Sequence, residues 1–227
     1  MIIITGASKG IGRYLFDKYE EKNVPVIGTY HSMVTGVNSK RCYKVDIKNY
    51  ESVSLFYSKI SEQLDDLTLI NCAGISDSAF LHKSDPVYWK EVIETNLIGT
   101  YYIIRVFLPI MREKGFGRII NFSSVVAQKG TLGASAYAAS KSGLWGLTKS
   151  LAAENANRGI TVNNINLGYA NIGMGIEKVT DSFKEQILQQ IPSKTFCGPE
   201  DIFKTVEYIR HTAYLNGTSI DINGGLF

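Results

Sequence analysis

Short apolar runs rich in β-branched residues alternate with amphipathic stretches along the whole chain. The runs predict strands over 1–5, 24–29, 42–45, 67–72, 117–122, 161–166 and 218–222. Between them apolar positions recur at helical spacing over Gly10 to Glu21, Tyr50 to Leu64, Pro86 to Lys114, Ala136 to Arg158 and Glu200 to His211. In the first of these, Ile11, Leu15, Phe16 and Tyr19 share one face, as a crossover helix packed on a sheet requires. Such alternation builds right-handed βαβ units. The expected fold class is therefore α/β, a doubly wound parallel seven-stranded sheet between two layers of helices, with a ligand crevice at the carboxyl ends of the strands. No Pro/Gly linker divides the chain, so residues 1–227 are expected to form one domain. The stretch 168–196 lacks a clear period and is expected to be a substrate-side flap with one or two short helices.

Composition narrows the function classes. Apolar residues at 44% and charged residues at 20% are ordinary for a soluble globular chain, and no apolar run is long enough to span a bilayer. Met1-Ile2-Ile3-Ile4 leads straight into a strand, leaving no room for a signal segment. Cys42, Cys72 and Cys197 are odd in number and far apart, which speaks against disulfides and a metal site and for the reducing cytoplasm. The net charge of +3 comes from 24 basic and 21 acidic residues without a dense basic run, so neither nucleic acid nor membrane is an expected partner.

The first strand runs into Thr5-Gly6-Ala7-Ser8-Lys9-Gly10-Ile11-Gly12 and then a helix. Glycines there admit a tight turn and the close approach of a pyrophosphate, and the helix N-terminus offers free N–H groups. This is the setting of a Rossmann-type dinucleotide site, with Gly6, Ser8, Lys9, Gly10, Ile11 and Gly12 as contacts. A carboxylate at the end of strand two would bond the ribose of NAD and repel a 2′-phosphate. The chain instead reads Thr29-Tyr30-His31-Ser32. Tyr30, His31 and Ser32, with Lys9, form a candidate 2′-phosphate site, and NADP(H) is the expected cofactor. The alternative is that Lys9 and His31 are ordinary solvated residues.

Tyr137 and Lys141 stand four apart on one predicted helix, so their side chains are neighbours. A nearby cation is expected to pull the phenol's pKa down from about 10 and make Tyr137 a proton shuttle. Ser124 ends a buried strand and can bond a substrate oxygen; alternatively it is a helix cap.

These motifs, together with Asp46, Asn71-Cys72-Ala73-Gly74 and Glu94-Thr95-Asn96-Leu97, resemble the classical short-chain dehydrogenase/reductase family over nearly the whole chain. Within it the likeness is to bacterial 3-oxoacyl-acyl-carrier-protein reductases. The resemblance implies that Tyr137 protonates a carbonyl oxygen, Ser124 holds it, and Lys141 lowers the tyrosine pKa and binds the nicotinamide ribose. It implies that Asn96 kinks its helix and holds a relay water, that Asp46 and Ile47 contact adenine, and that Asn71, Ala73 and Gly74 line the wall by the ribose. Two departures stand out. Cys72 replaces an asparagine, with little expected effect. In Asn166-Leu167-Gly168-Tyr169-Ala170-Asn171-Ile172 the family's proline and threonine are missing, leaving Gly168 and backbone near Ile172 to meet the carboxamide.

The expected activity is NADP(H)-dependent reduction of a ketone, either a small-molecule carbonyl or a carrier-tethered 3-oxoacyl thioester. A compact stretch at Met33 to Lys40 and a modest flap suit a bulky substrate. The alternatives are a sugar or secondary-metabolite alcohol dehydrogenase of the same family and a non-catalytic NADP-binding regulator. Leu144, Trp145, Leu147 and Leu151 look like surplus apolar surface on the Tyr137 helix. With the family likeness, this predicts a homotetramer, with a dimer second.

Overall fold

The computed structural model describes residues 1–32, 40–76, 78–175 and 180–226. Positions 33–39 of the predicted compact stretch and 176–179 of the flap lie outside the described residues. Among those described, seven strands form one parallel sheet: β1 (Ile2–Thr5), β2 (Val26–Tyr30), β3 (Cys42–Lys44), β4 (Thr68–Asn71), β5 (Gly117–Ser124), β6 (Ile160–Leu167) and β7 (Ser219–Ile222). Their order is β3-β2-β1-β4-β5-β6-β7, so the winding reverses between β1 and β4. That reversal opens a crevice at the carboxyl ends of these two strands.

The helices are α1 (Gly10–Glu21), α2 (Tyr50–Ile60), α3 (Pro86–Ile93), α4 (Gly99–Lys114), α5 (Ser135–Asn155), α6 (Asp181–Gln190) and α7 (Pro199–His211). β1 shows why both faces of the sheet need them. Ile2 and Ile4 pack with Leu15, Phe16 and Tyr19 of α1 and Ile202, Phe203 and Val206 of α7. Ile3 points the other way, into Val53, Phe56 and Ile60 of α2 and Ile103 and Phe107 of α4. A strand buried on both faces reads as a continuous apolar run, as β1 does.

Three differences from the sequence expectation have local causes. The helix predicted over Pro86 to Lys114 is interrupted by a π-helical turn at Glu94–Ile98. Such a turn inserts one residue and turns the Asn96 side chain to a tertiary partner. β5 and β6 run to Ser124 and Leu167, where Ser123 pairs with Asn166 and Ser124 with Leu167. Leu144, Trp145, Leu147 and Leu151 also make contacts within the chain. Leu144 is 1% exposed, Trp145 donates into the sheet, and Leu147 and Leu151 pack on the α2/α4 side of the core. Each of these groups thus has a partner within the chain, while Trp145, Leu147 and Leu151 stay partly exposed on α5.

The middle of the sheet carries buried carboxamides. Asn71 Nδ2 donates to Asn121 Oδ1 at 2.8 Å, Asn121 Nδ2 to Thr148 Oγ1 at 3.0 Å, Thr148 Oγ1 to Asn164 Oδ1 at 2.7 Å, and Asn164 Nδ2 to Ser219 Oγ at 3.0 Å. Apart from Asn71 Oδ1, which has no hydrogen-bond partner, these buried groups satisfy one another, and the chain ties β4, β5, β6 and β7 to α5. No helix among the described residues is long and apolar enough to cross a membrane.

Candidate active site

The crevice begins at the turn after β1. Gly6 has φ +70, and a Cβ there would lie 2.9 Å from Ala73 Cα; one on Gly12 would lie 2.4 Å from the Gly6 carbonyl oxygen. Only glycine lets the turn fold this tightly against the chain after β4. Lys9, the N-cap of α1, makes no side-chain cap bond, so the first N–H groups of α1 are left for an anion. The residues thus fit a dinucleotide pyrophosphate.

A cavity of about 280 Å³ runs along this turn. Gly6, Ser8, Lys9, Gly10, Ile11 and Gly12 line it from the turn, Tyr30, His31 and Ser32 from the end of β2, Asp46 and Ile47 after β3, and Ala73 and Gly74 after β4. His31 Nδ1 and Ser32 Oγ are 3.3 Å apart, and both side chains, like Lys9, are exposed at the rim. No carboxylate from the end of β2 lines the cavity. Asp46 Oδ1 accepts from the Lys48 N–H at 3.0 Å, which shapes the turn under the expected adenine position.

Sequence reasoning missed Thr29, Val45, Lys48, Cys72, Ile75, Glu91, Thr95, Gly173 and Met174, which also line the cavity. Lys48 Nζ bonds Glu91 Oε1 at 2.7 Å, and this pairing across 43 residues had no local signal. Three expected cofactor contacts lie outside this cavity lining. Asn71 turns its carboxamide into the sheet toward Asn121, so the wall by Ala73 is completed by Cys72 instead. Gly168 is a packing glycine, where a Cβ would lie 2.8 Å from Asn223 Cα. Ile172 packs into the α1/α7 core, and its neighbour Gly173 reaches the cavity.

Ser124, Tyr137, Lys141 and Asn96 do not line the cavity themselves but lie together beside its Gly74 wall. A Cβ on Gly74 would lie 3.1 Å from Asn96 Oδ1 and 3.7 Å from Lys141 Nζ, which joins the cavity wall to this group. Lys141 Nζ lies 5.5 Å from the Tyr137 ring centroid and donates to the Phe122 carbonyl at 2.6 Å. Ser124 Oγ accepts from the Val126 N–H at 3.2 Å, capping a 3₁₀ turn over Val125–Ala127, and lies close enough to the Tyr137 phenol to favour its ionised form. The cap reading of Ser124 is thus observed.

The electrostatics differ from expectation. Burial pushes the Tyr137 phenol up to about 12, with the Ser124 bond opposing, and holds the Lys141 ammonium down at about 8, with Cys72 acting the other way. Burial is the dominant influence on the phenol and outweighs the pull expected from Lys141. Burial also raises the Cys72 thiol, so a neutral thiol faces Lys141.

Asn96 is fully buried, and its carboxamide is committed. Oδ1 accepts from the Ile75 N–H at 2.9 Å, while Nδ2 donates to the Ile75 carbonyl at 2.8 Å and to Ser140 Oγ at 3.0 Å. Both donor hydrogens of the carboxamide are used within the chain. The side chain clamps the chain after β4 to α5, since Ser140 Oγ in turn donates to the Tyr137 carbonyl at 2.8 Å.

A glycine cradle at the switch point of a parallel sheet, joined to a half-buried Tyr137 and buried Lys141, Ser124 and Asn96, defines the class of nicotinamide-dependent oxidoreductases. The family model described as short chain dehydrogenase matches residues 1–182, and the chain belongs to that family. A 3-oxoacyl-[acyl-carrier-protein] reductase of Haemophilus influenzae is 34% identical over 236 residues, covering 99% of this chain and 97% of that protein. An acetoacetyl-CoA reductase of Shinella zoogloeoides is 34% identical over 237 residues, with 99% and 97% covered. A crystal structure of an actinorhodin polyketide ketoreductase variant with NADPH superposes with a TM-score of 0.90 at 24% identity, covering 99% and 96%, a likeness of fold.

Proposed function

We propose that the protein reduces a ketone to a secondary alcohol with NADPH as donor, and that its substrate is a 3-oxoacyl thioester, whether a small molecule or tethered to a carrier. The observation that carries this reading is the convergence of Ser124, Tyr137 and Lys141 beside the Gly74 wall of the glycine-lined crevice. When bound, the nicotinamide supplies the hydride. Tyr137, held in its acid form by burial, donates its phenolic proton to the carbonyl oxygen. Ser124 hydrogen-bonds the same oxygen and fixes its place. Lys141 titrates close to neutrality, so it can return a proton to the phenol between turnovers. Asn96, through Ser140, holds the first turn of α5 in place beneath Tyr137.

The relatives named for 3-oxoacyl and acetoacetyl thioesters support the substrate class. A sugar or secondary-metabolite alcohol would use the same four residues, and a panel of ketones and thioesters separates these substrates. A regulator without turnover would have no use for the complete group. Lys9, His31 and Ser32 on one rim support NADP over NAD, as does the lack of a carboxylate from β2. The single-domain reading extends over 1–227. The three unpaired cysteines suit a reducing cytoplasm. Tetramer assembly is supported by family likeness and by the partly exposed apolar residues of α5, and light scattering reads it directly.

Fluorescence titration tests the cofactor assignment. NADPH is expected to bind at least tenfold more tightly than NADH, about 1.4 kcal/mol, and Lys9→Ala with His31→Ala should erase most of that gap. Equal binding of both nucleotides by the wild type would sink the 2′-phosphate reading.

A further inference from the structure

Three consecutive residues at the end of β5 hold α5. The Phe122 carbonyl takes the Lys141 ammonium, Ser123 Oγ donates to the Lys141 carbonyl at 3.1 Å, and Ser124 meets Tyr137. Ser123 is 3% exposed, and its oxygen accepts a second bond at 3.0 Å, from Trp145 Nε1. Trp145 stands one helical turn beyond Lys141. The same indole N–H is shared with Asn166 Oδ1, also at 3.0 Å.

The bonds then close on themselves. Asn166 Nδ2 donates to Asp221 Oδ1 at 2.7 Å, and Gln128 Nε2 donates to both oxygens of Asp221 at 3.0 and 3.1 Å. Gln128 is the C-cap of the 3₁₀ turn that Ser124 caps at its other end. A ring of polar contacts therefore starts at the main chain of Lys141, passes through β5, α5, β6 and β7, and returns to the turn that carries Ser124. The serine and the tyrosine are fixed from two sides by one network. An α-helix packed by apolar contacts alone retains freedom to rotate about its axis, and hydrogen bonds of defined direction remove it.

We propose that Trp145 is a positioning residue for the reaction, its indole N–H setting the rotation of α5 through Ser123 and Asn166 so that Tyr137 faces Ser124. This rests on the reductase reading of the site. Trp145 does not line the cavity and acts through Lys141 and Tyr137. Misplacement of a reacting group by a fraction of an ångström to one ångström lowers turnover by about ten- to a hundredfold.

Steady-state reduction of acetoacetyl-CoA by the wild type, Trp145→Phe, Asp221→Ala and Asn163→Ala tests the proposal. Trp145→Phe keeps the ring and deletes the N–H. It is expected to lower kcat about tenfold or more, to shift the pH profile of kcat, and to leave the KM for NADPH within about twofold. Asp221→Ala, at the far side of the ring, should act in the same direction with a smaller loss, and it decides the matter if Trp145→Phe does not fold. Asn163→Ala is the control, since its buried carboxamide bonds the Leu215 carbonyl and the Thr218 N–H outside the ring. It should lower Tm and leave the pH profile in place. Wild-type kcat and pH profile in both ring variants, or the same changes in Asn163→Ala, would overturn the proposal. If the wild type binds NADPH and reduces no thioester or ketone, the reductase reading fails on its own. Crystal structures of wild type and Trp145→Phe then decide the positioning claim without turnover. A displaced Tyr137 hydroxyl relative to Ser124 upholds it, and an unmoved one refutes it.

Discussion

Replacing Lys141 by Met is expected to make the protein more stable at neutral pH while lowering turnover by about 10³. Lys141 is 4% exposed and, among the described residues, forms no ion pair. Burial holds its ammonium at about 8 against an ordinary 10.5, which is about 3 kcal/mol against the charged form at neutral pH. Methionine matches the stem and carries no charge; loss of the bond to the Phe122 carbonyl returns about 1 kcal/mol of that gain. The expected net is about 2 kcal/mol, read as a higher midpoint in urea. The folded pKa lies below the unfolded one, so between about 8 and 10.5 the unfolded chain binds more protons and wild-type stability rises with pH. The advantage of the variant should therefore shrink across that window. A variant less stable than wild type at pH 7 would show that the ammonium is well solvated or paired, contrary to the geometry. Functional sites commonly hold such strain, and its release costs activity.

The second large effect is at the turn. Gly12→Ala would place a methyl 2.4 Å from the Gly6 carbonyl oxygen and 2.9 Å from its carbonyl carbon. Both obstacles are main chain, so the turn must open. The expected cost is about 2 kcal/mol in thermal unfolding. Loss of NADPH affinity should be about a hundredfold or more, since the N–H groups that meet the pyrophosphate move with the turn. Gly146→Ala is the matching control: a Cβ there meets nothing within 4 Å, and its place inside α5 makes alanine the better helix former. It should gain about 0.5–1 kcal/mol. Tight NADPH binding by Gly12→Ala would remove the turn from the cofactor site.

What was legible in the chain was local. The glycine turn, the Tyr137/Lys141 spacing and the apolar runs of β1, β5 and β6 each carry their meaning within a few residues, and the fold and crevice lie where those patterns put them. What was illegible depends on contacts between distant segments. The π turn at Asn96 accompanies a clamp on Ile75, which no helical period announces. Trp145 looks like surplus apolar surface until β5 and β6 bring Ser123 and Asn166 to its N–H. Ile172 and Gly173 differ by one residue, enough to exchange a core contact for a cavity wall. The direction of the Tyr137 shift failed for the same reason: spacing places a cation nearby, and burial, which outweighs it, is a property of the whole fold.

The most direct test of the central claim, that Tyr137 is the acid of a carbonyl reductase, compares wild type with Tyr137→Phe for NADPH consumption in the presence of acetoacetyl-CoA, with NADPH binding measured alongside. Deleting one hydroxyl should lower kcat by about 10³ while the affinity for NADPH stays within about twofold. Turnover by Tyr137→Phe at the wild-type rate would contradict the account, because the proton would then come from another group.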